Sequence, residues 1–180
     1  MRAHPLVLAV VLFLASELMF FAGLFATYFD LRTTAGVWPQ PGARLNVPEA
    51  TFGTFLLFLS SVLMFLVTRA MDRENFSAAR RWLATVLVCA AGFVVVAIHG
   101  YSRETFSISS SAYGSIYYAM TGFHLLHVCA GIALLLALMV GMRSQALLVN
   151  CRAGAEAMTY YWHFVFVVWL GIFATIYFIR

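Results

Sequence analysis

Five long apolar runs dominate this chain and constrain what it can fold into. They cover approximately Leu6–Phe29, Phe52–Thr68, Trp82–Ile98, Ser115–Met142 and Met158–Ile179. Each run is close to the ~20 residues that cross the hydrocarbon core of a bilayer as a helix. Backbone groups in hydrocarbon must be hydrogen-bonded internally, and the alternating pattern of barrel strands is missing. The sequence therefore predicts an all-α integral membrane bundle of five transmembrane helices, with residues 1–180 forming one domain.

The charge distribution predicts the orientation of this bundle. All eleven basic residues are arginine. Seven flank the ends on the N-terminal side, and four flank the opposite ends; the seven are Arg2, Arg69, Arg73, Arg80, Arg81, Arg143 and Arg152, and the four are Arg32, Arg44, Arg103 and Arg180. Because cytoplasmic loops carry the excess of Arg and Lys, this count places the N-terminus in the cytoplasm and the C-terminus outside. Arginines spread over short loops do not form a nucleic-acid patch.

The three cysteines carry no evident chemistry. Cys89, Cys129 and Cys151 show no paired spacing, and the first two lie within apolar runs. This pattern indicates neither a disulfide framework nor a cysteine metal site.

Glu17 is the most informative single residue, because a carboxylate at the middle of a transmembrane helix is costly and is a functional candidate by default. Its neighbours at i±3 and i±4 are Phe13, Leu14, Phe20 and Phe21, none of which can pair with a charge. We therefore expect Glu17 either to be protonated or to take its partner from another helix or subunit. A proton-related role and a purely structural hydrogen bond both fit. On roughly the opposite face, small residues predict a close helix contact; they are Ala15, Ala22 and Ala26.

The histidines form the second group of polar residues in the apolar runs. His124 and His127 form an H-x-x-H pair in helix 4, on one stripe with Tyr117, Met120 and Gly131. His163 lies in helix 5, and His99 ends helix 3. Imidazole suits haem and several metals, but the spacing is not the paired Glu-x-x-His pattern of di-iron bundles. Hydrogen bonding between helices, or contact with lipid headgroups, is the favoured interpretation.

Three stretches together resemble one known family. They are SELMFFAGLF over residues 16–25, then FSIS at 106–109 with AYGS at 112–115 and TGFHLLHV at 121–128, and finally YWHFVFVVWL over 161–170. In this order and spacing the chain resembles subunit III of cytochrome c oxidase and of related quinol oxidases, in the short five-helix form found in bacteria.

The resemblance implies a bacterial cell-membrane subunit that flanks a catalytic subunit. Members of the family bind phospholipid, stabilise the oxidase during turnover and support proton uptake. They carry no haem, copper or other metal themselves; haem and copper belong to the catalytic subunit I, with subunit II as a further partner. Glu17 matches the family's intramembrane carboxyl. Residues that match its lipid-lined interior are His124, His127, Trp162 and His163.

Two departures from the family pattern concern buried acids. An aspartate usually follows the helix-5 histidine by three residues, and Phe166 stands there in this chain. Helix 3 usually ends Gln-x-x-Glu-Tyr, and here it reads Ala97-Ile98-His99-Gly100-Tyr101. Both changes predict the loss of buried polar partners as one network, since a half-satisfied network is costly.

The leading hypothesis is thus a non-catalytic subunit III of a terminal oxidase that reduces oxygen to water and pumps protons. Two alternatives stay open on the sequence. One is an accessory subunit of a nitric oxide reductase, because related five-helix proteins accompany such reductases and have a similar HLLH sequence in helix 4. The other is a stand-alone electron carrier that binds haem through its own histidines.

Overall fold

The computed structural model describes residues 5–39, 43, 45–142 and 148–179, and the side chains of residues 148–151 are outside that description. The described residues form five long helices and no strand. Their bounds are α1 Pro5–Thr34, α2 Val47–Asp72, α3 Phe76–Arg103, α4 Ala112–Gly141 and α5 Leu148–Phe173. A π-helical turn, Ala174–Phe178, continues α5. Several residues named from the sequence lie outside the description, namely Arg2, Arg44, Arg143, Arg180 and the side chain of Cys151.

All five helices are long and apolar enough to cross a membrane, so the predicted fold class is confirmed. Each helix also extends beyond its apolar run, to between 26 and 30 residues. At 1.5 Å per residue such a helix measures about 39–45 Å, the full thickness of a bilayer with its headgroups. The largest difference is at α5, which is already helical from Leu148 although its apolar run begins only at about Met158.

Polar side chains fix where three of these helices begin. Asn46, Asn75 and Ser111 each stand at an N-cap and accept a hydrogen bond from a backbone N–H in the first turn. Such caps satisfy amides that have no partner within the helix. Because these caps lie beyond the apolar runs, they account for the extra helical turns.

α5 lies at the centre of the bundle. It packs against α1, α2 and α4, while α2 and α3 form a tight antiparallel hairpin. Trp162 of α5 is fully buried, and its indole Nε1 donates a hydrogen bond to Ser60 Oγ of α2 at 3.0 Å. Gly131 of α4 faces the same ring so closely that an added Cβ would lie 2.7 Å from a ring carbon of Trp162. The absence of a side chain at Gly131 therefore lets α4 approach α5.

α1 lies at the edge of the bundle and is its least covered helix. In its most apolar stretch 17% of residues are buried, against 44% in the last helix. The small residues that predicted a close helix contact, Ala15, Ala22 and Ala26, are all exposed in the chain by itself. That face is therefore free for lipid or for another subunit.

Candidate functional site: a buried acid paired with a histidine

Glu17 of α1 takes its partner from α4. Its Oε2 lies 2.9 Å from His127 Nε2, so the two side chains share a hydrogen bond between helices. Sequence analysis left two expectations for Glu17, a protonated acid or a partner on another element, and the structure provides a partner. The signal was the H-x-x-H pair itself, but nothing in the sequence assigned one of its two histidines to Glu17.

The hydrogen bonds of His127 determine how many protons the pair can hold. Its Nδ1 lies 2.7 Å from the carbonyl oxygen of Phe123, one turn earlier. A carbonyl only accepts, so Nδ1 must carry a proton. The contact between Nε2 and Glu17 then needs one further proton, which resides either on the carboxyl or on the imidazole. Both arrangements have zero net charge, which is the condition for placing two ionisable groups in hydrocarbon at modest cost.

The rest of the site holds His127 in place. Tyr161 of α5 donates its hydroxyl hydrogen bond to the backbone carbonyl of His127 at 2.8 Å. The ring of Phe21 lies edge-on against the imidazole at 5.2 Å. The side chains of Glu17 and His127 remain 20% and 11% exposed in the chain by itself. The pair is therefore fixed by three helices but open on one side, toward lipid or a neighbouring subunit.

His124, one turn before His127, has different surroundings. It is 1% exposed, stacks on Trp169 at 5.0 Å and meets the edge of Phe93 at 5.8 Å. Neither of its ring nitrogens has a hydrogen-bond partner among the described residues. Whereas His127 makes the interhelical hydrogen bond expected from the sequence, His124 packs as an aromatic ring.

The two candidate residues of α5 are also separated from the pair. Trp162 bonds to Ser60 in the core, and His163 donates from Nδ1 to the Thr159 carbonyl of its own helix at 2.7 Å. Phe166, which stands where the family has an acid, packs against the ring of Phe58 of α2 at 5.8 Å. Among the five predicted site residues, therefore, only Glu17 and His127 share a hydrogen bond in the described structure.

Two carboxylates that sequence reasoning missed lie near the end of α3. Glu49 of α2 places Oε1 2.5 Å from His99 Nδ1, and Glu104 accepts a hydrogen bond from Tyr117 at 3.3 Å. The end of α3 therefore keeps polar contacts, although their acids come from positions other than the two that depart from the family pattern. The Asn46-Val47-Pro48-Glu49 start of α2 was the available signal: it has the spacing of a capping box, and the Asn46 side-chain amide donates to Glu49 Oε2 at 2.9 Å.

Histidines recur in the apolar runs, and imidazole is a common metal ligand. Over the described part of the chain, no group of three or more His, Cys, Asp or Glu side chains is placed to hold a metal ion. The Glu17–His127 and Glu49–His99 pairs each have two members.

Comparison with known proteins adds the family. The model of the cytochrome c oxidase subunit III family matches residues 3–180. The chain belongs to this family. The predicted resemblance is confirmed, and membership makes the chain a non-catalytic subunit of an oxidoreductase complex.

Individual relatives agree along nearly the whole chain. A protein named probable cytochrome c oxidase subunit 3 from Nocardia farcinica is 40% identical, with 99% of this chain and 90% of the relative covered. Cytochrome c oxidase subunit 3 of Corynebacterium diphtheriae is 37% identical over the same shares. The Bacillus subtilis protein of that name is 32% identical, with 92% of this chain and 82% of the relative covered.

Proposed function

We propose that this chain forms a lipid-binding flank of the catalytic subunit in a bacterial terminal oxidase that reduces oxygen to water and pumps protons. Haem and copper belong to that catalytic subunit in this proposal, and subunit II completes the complex. The chain contributes packing and electrostatics. The observation that carries the proposal is the Glu17–His127 pair, which shares one proton between its two side chains at zero net charge on the side of the bundle that its own helices leave open.

Two further features support a docking role for α1. Its small-residue face at Ala15, Ala22 and Ala26 is uncovered, and small residues allow helices of different subunits to approach closely. Glu17 and His127 lie on the boundary between this peripheral helix and the rest of the bundle. A subunit packed there would remove their remaining exposure and strengthen the hydrogen bond between them.

Phospholipid binding follows from the family and from the loops. Arg69 and Arg73 flank a groove with Trp82 near the α2–α3 turn. We assign this end to the cytoplasmic face of the cell membrane, because most arginines lie there. Each arginine near an anionic headgroup contributes about 1 kcal/mol. Among the predicted interior residues, His163 is half-buried and can contact lipid, whereas His124, His127 and Trp162 are buried.

Purification from native membranes tests the assignment. The chain carries an affinity tag, is isolated in mild detergent, and its partners are identified by mass spectrometry and by the reduced-minus-oxidised spectrum. We expect an oxygen-reducing haem–copper subunit in stoichiometric amounts. A nitric oxide reductase catalytic subunit in its place, or the chain alone with a haem of its own, would overturn the proposal.

A further inference from the structure

A cavity opens at the end of the bundle opposite the α2–α3 turn. It has an accessible volume of about 50 Å³ and lies between the start of α2, the end of α3, the start of α4 and the end of α5. Its walls carry five aromatic rings, those of Phe93, Tyr101, Tyr117, Trp169 and Tyr177. Helix ends at this level sit near the lipid headgroups, so the cavity opens where polar lipid chemistry is available.

Small residues create this space, and the π-helical turn completes its wall. Ala50, Gly53, Ala97 and Gly100 line it on the α2 and α3 sides. A Cβ built at Gly100 would meet no atom within 4 Å, so the space there is open. Tyr177 belongs to the turn Ala174–Phe178 that ends α5.

The charged residues of the cavity are two acids, Glu49 and Glu104, and no arginine is among the described lining residues. Both oxygens of Glu49 are engaged, one by Asn46 and the other by His99. Glu104 differs: Oε1 accepts from Tyr117, whereas Oε2 is buried with no hydrogen-bond partner in the described structure. A buried acceptor without a donor costs free energy, so the site is incomplete until a donor enters.

We propose that this cavity binds a primary ammonium group, with Glu104 as its carboxylate anchor and the aromatic rings as its walls. Aromatic faces attract organic cations, and desolvation strengthens that attraction. The carboxylates select against anionic groups in the same space. An aminophospholipid such as phosphatidylethanolamine, or a free alkylamine, offers this chemistry. The inference rests on the lipid binding of the proposed function and names the headgroup chemistry that this one cavity would take.

The ionisation of Glu104 agrees with such a ligand. Burial raises the pKa of Glu104 to about 7, against the opposing hydrogen bond from Tyr117. A bound ammonium needs the ionised form, so its affinity rises with pH, by about tenfold between pH 6 and pH 8 for a group that titrates near 7. The other groups facing the cavity are Glu49, paired with His99, and three tyrosines that stay neutral in this range.

Native mass spectrometry of the intact complex tests the proposal. Complexes are reconstituted in nanodiscs of phosphatidylglycerol with and without phosphatidylethanolamine, and retained lipid is counted. We expect the wild-type complex to retain one phosphatidylethanolamine. Glu104→Gln should bind this lipid at least about tenfold more weakly, which is a loss of about 1.4 kcal/mol or more in binding free energy. Glu74→Gln is the matched control, because Glu74 is an exposed acid of the α2–α3 turn at the opposite end, and it should retain the lipid.

Two further arms keep the result decisive. Tyr177→Leu removes one aromatic wall without touching a charge, and it should weaken retention even if Glu104→Gln assembles poorly. Ethanolamine added in solution tests the free amine as the source, and binding that depends on Glu104 in either arm supports the proposal. Equal retention of phosphatidylglycerol, or retention of phosphatidylethanolamine unchanged by both variants, would overturn it. The proposed subunit role has its own test in co-purification, so the two can fail separately.

Discussion

His127 Nε2 lies 2.9 Å from Glu17 Oε2, while Nδ1 of the same ring donates to the Phe123 carbonyl. One histidine therefore links α1 to α4 and fixes at one the number of protons shared between the two side chains. The arrangement resolves the cost of a mid-helix acid, because neither protonation state leaves a net charge in hydrocarbon. It also gives the two interpretations of Glu17, proton exchange and structural bonding, different experimental consequences.

Glu17→Gln and Glu17→Leu separate these two roles. A glutamine amide can still donate to His127 Nε2, so we expect Glu17→Gln to assemble with wild-type thermal stability. Glu17→Leu loses the interhelical bond, which is worth about 1–2 kcal/mol in membrane helices. If the shared proton matters, Glu17→Gln shortens the lifetime of the complex during turnover.

The readouts for Glu17 are the inactivation rate during oxygen consumption and the protons released per electron. Glu156→Gln is the control, because Glu156 is an exposed acid near the start of α5. A wild-type lifetime and proton stoichiometry for Glu17→Gln, together with a destabilised Glu17→Leu, would leave the pair with a structural role alone.

The α4–α5 contact predicts opposite results for two glycines of α4. A Cβ at Gly131 would lie 2.7 Å from Trp162 and 3.0 Å from Tyr161, so Gly131→Ala should destabilise the protein by about 1–3 kcal/mol. Gly122 has nothing within 4 Å of the same position. Gly122→Ala should therefore be neutral or stabilise the helix by up to about 1 kcal/mol. Thermal unfolding in detergent measures both, and equal effects would contradict the packing described for Gly131.

The Trp162–Ser60 hydrogen bond predicts a coupled pair of variants. Ser60→Ala leaves the buried indole N–H without an acceptor and should cost about 1–3 kcal/mol. Trp162→Phe removes that donor, so adding Ser60→Ala to it should cost much less than Ser60→Ala alone. Additive losses in the double-mutant cycle would argue that the bond contributes little.

Glu104 predicts a pH dependence of stability. Its pKa is raised to about 7 in the folded protein, from 4.5 for the free side chain, chiefly by burial. The folded state therefore binds more protons than the unfolded state between these values, and the contribution of Glu104 to stability falls as pH rises from about 4.5 to 7. Glu104→Gln should flatten this part of the curve of unfolding midpoint against pH. An unchanged slope would show that Glu104 does not titrate in this window.

The sequence could predict the number of helices and their class, because the solvent imposes both: a run of ~20 apolar residues has few structures open to it in a bilayer. The helix ends were less predictable, since Asn46, Asn75 and Ser111 act as caps outside the apolar runs. The position of α1 at the edge of the bundle was not predictable, because its apolar residues show no preferred face.

The candidate site was likewise predictable only in part. Glu17 stood out because its helical neighbours could not pair with it. Its partner lies 110 residues away on α4, and the choice of His127 over His124 depends on how the two helices pack. Glu49 and Glu104 were missed because their partners, His99 and Tyr117, are on other helices. Spacing rules within one helix cannot report such contacts.

Metal analysis of the oxidase complex with and without this chain tests the central claim most directly. In the proposed function haem and copper belong to the catalytic subunit, and this bundle has a supporting role. We therefore expect the depleted complex to keep its full haem and copper content and its initial rate of oxygen reduction, but to inactivate sooner during turnover. Haem or copper lost in proportion to the chain, or recovered bound to the isolated chain, would contradict it.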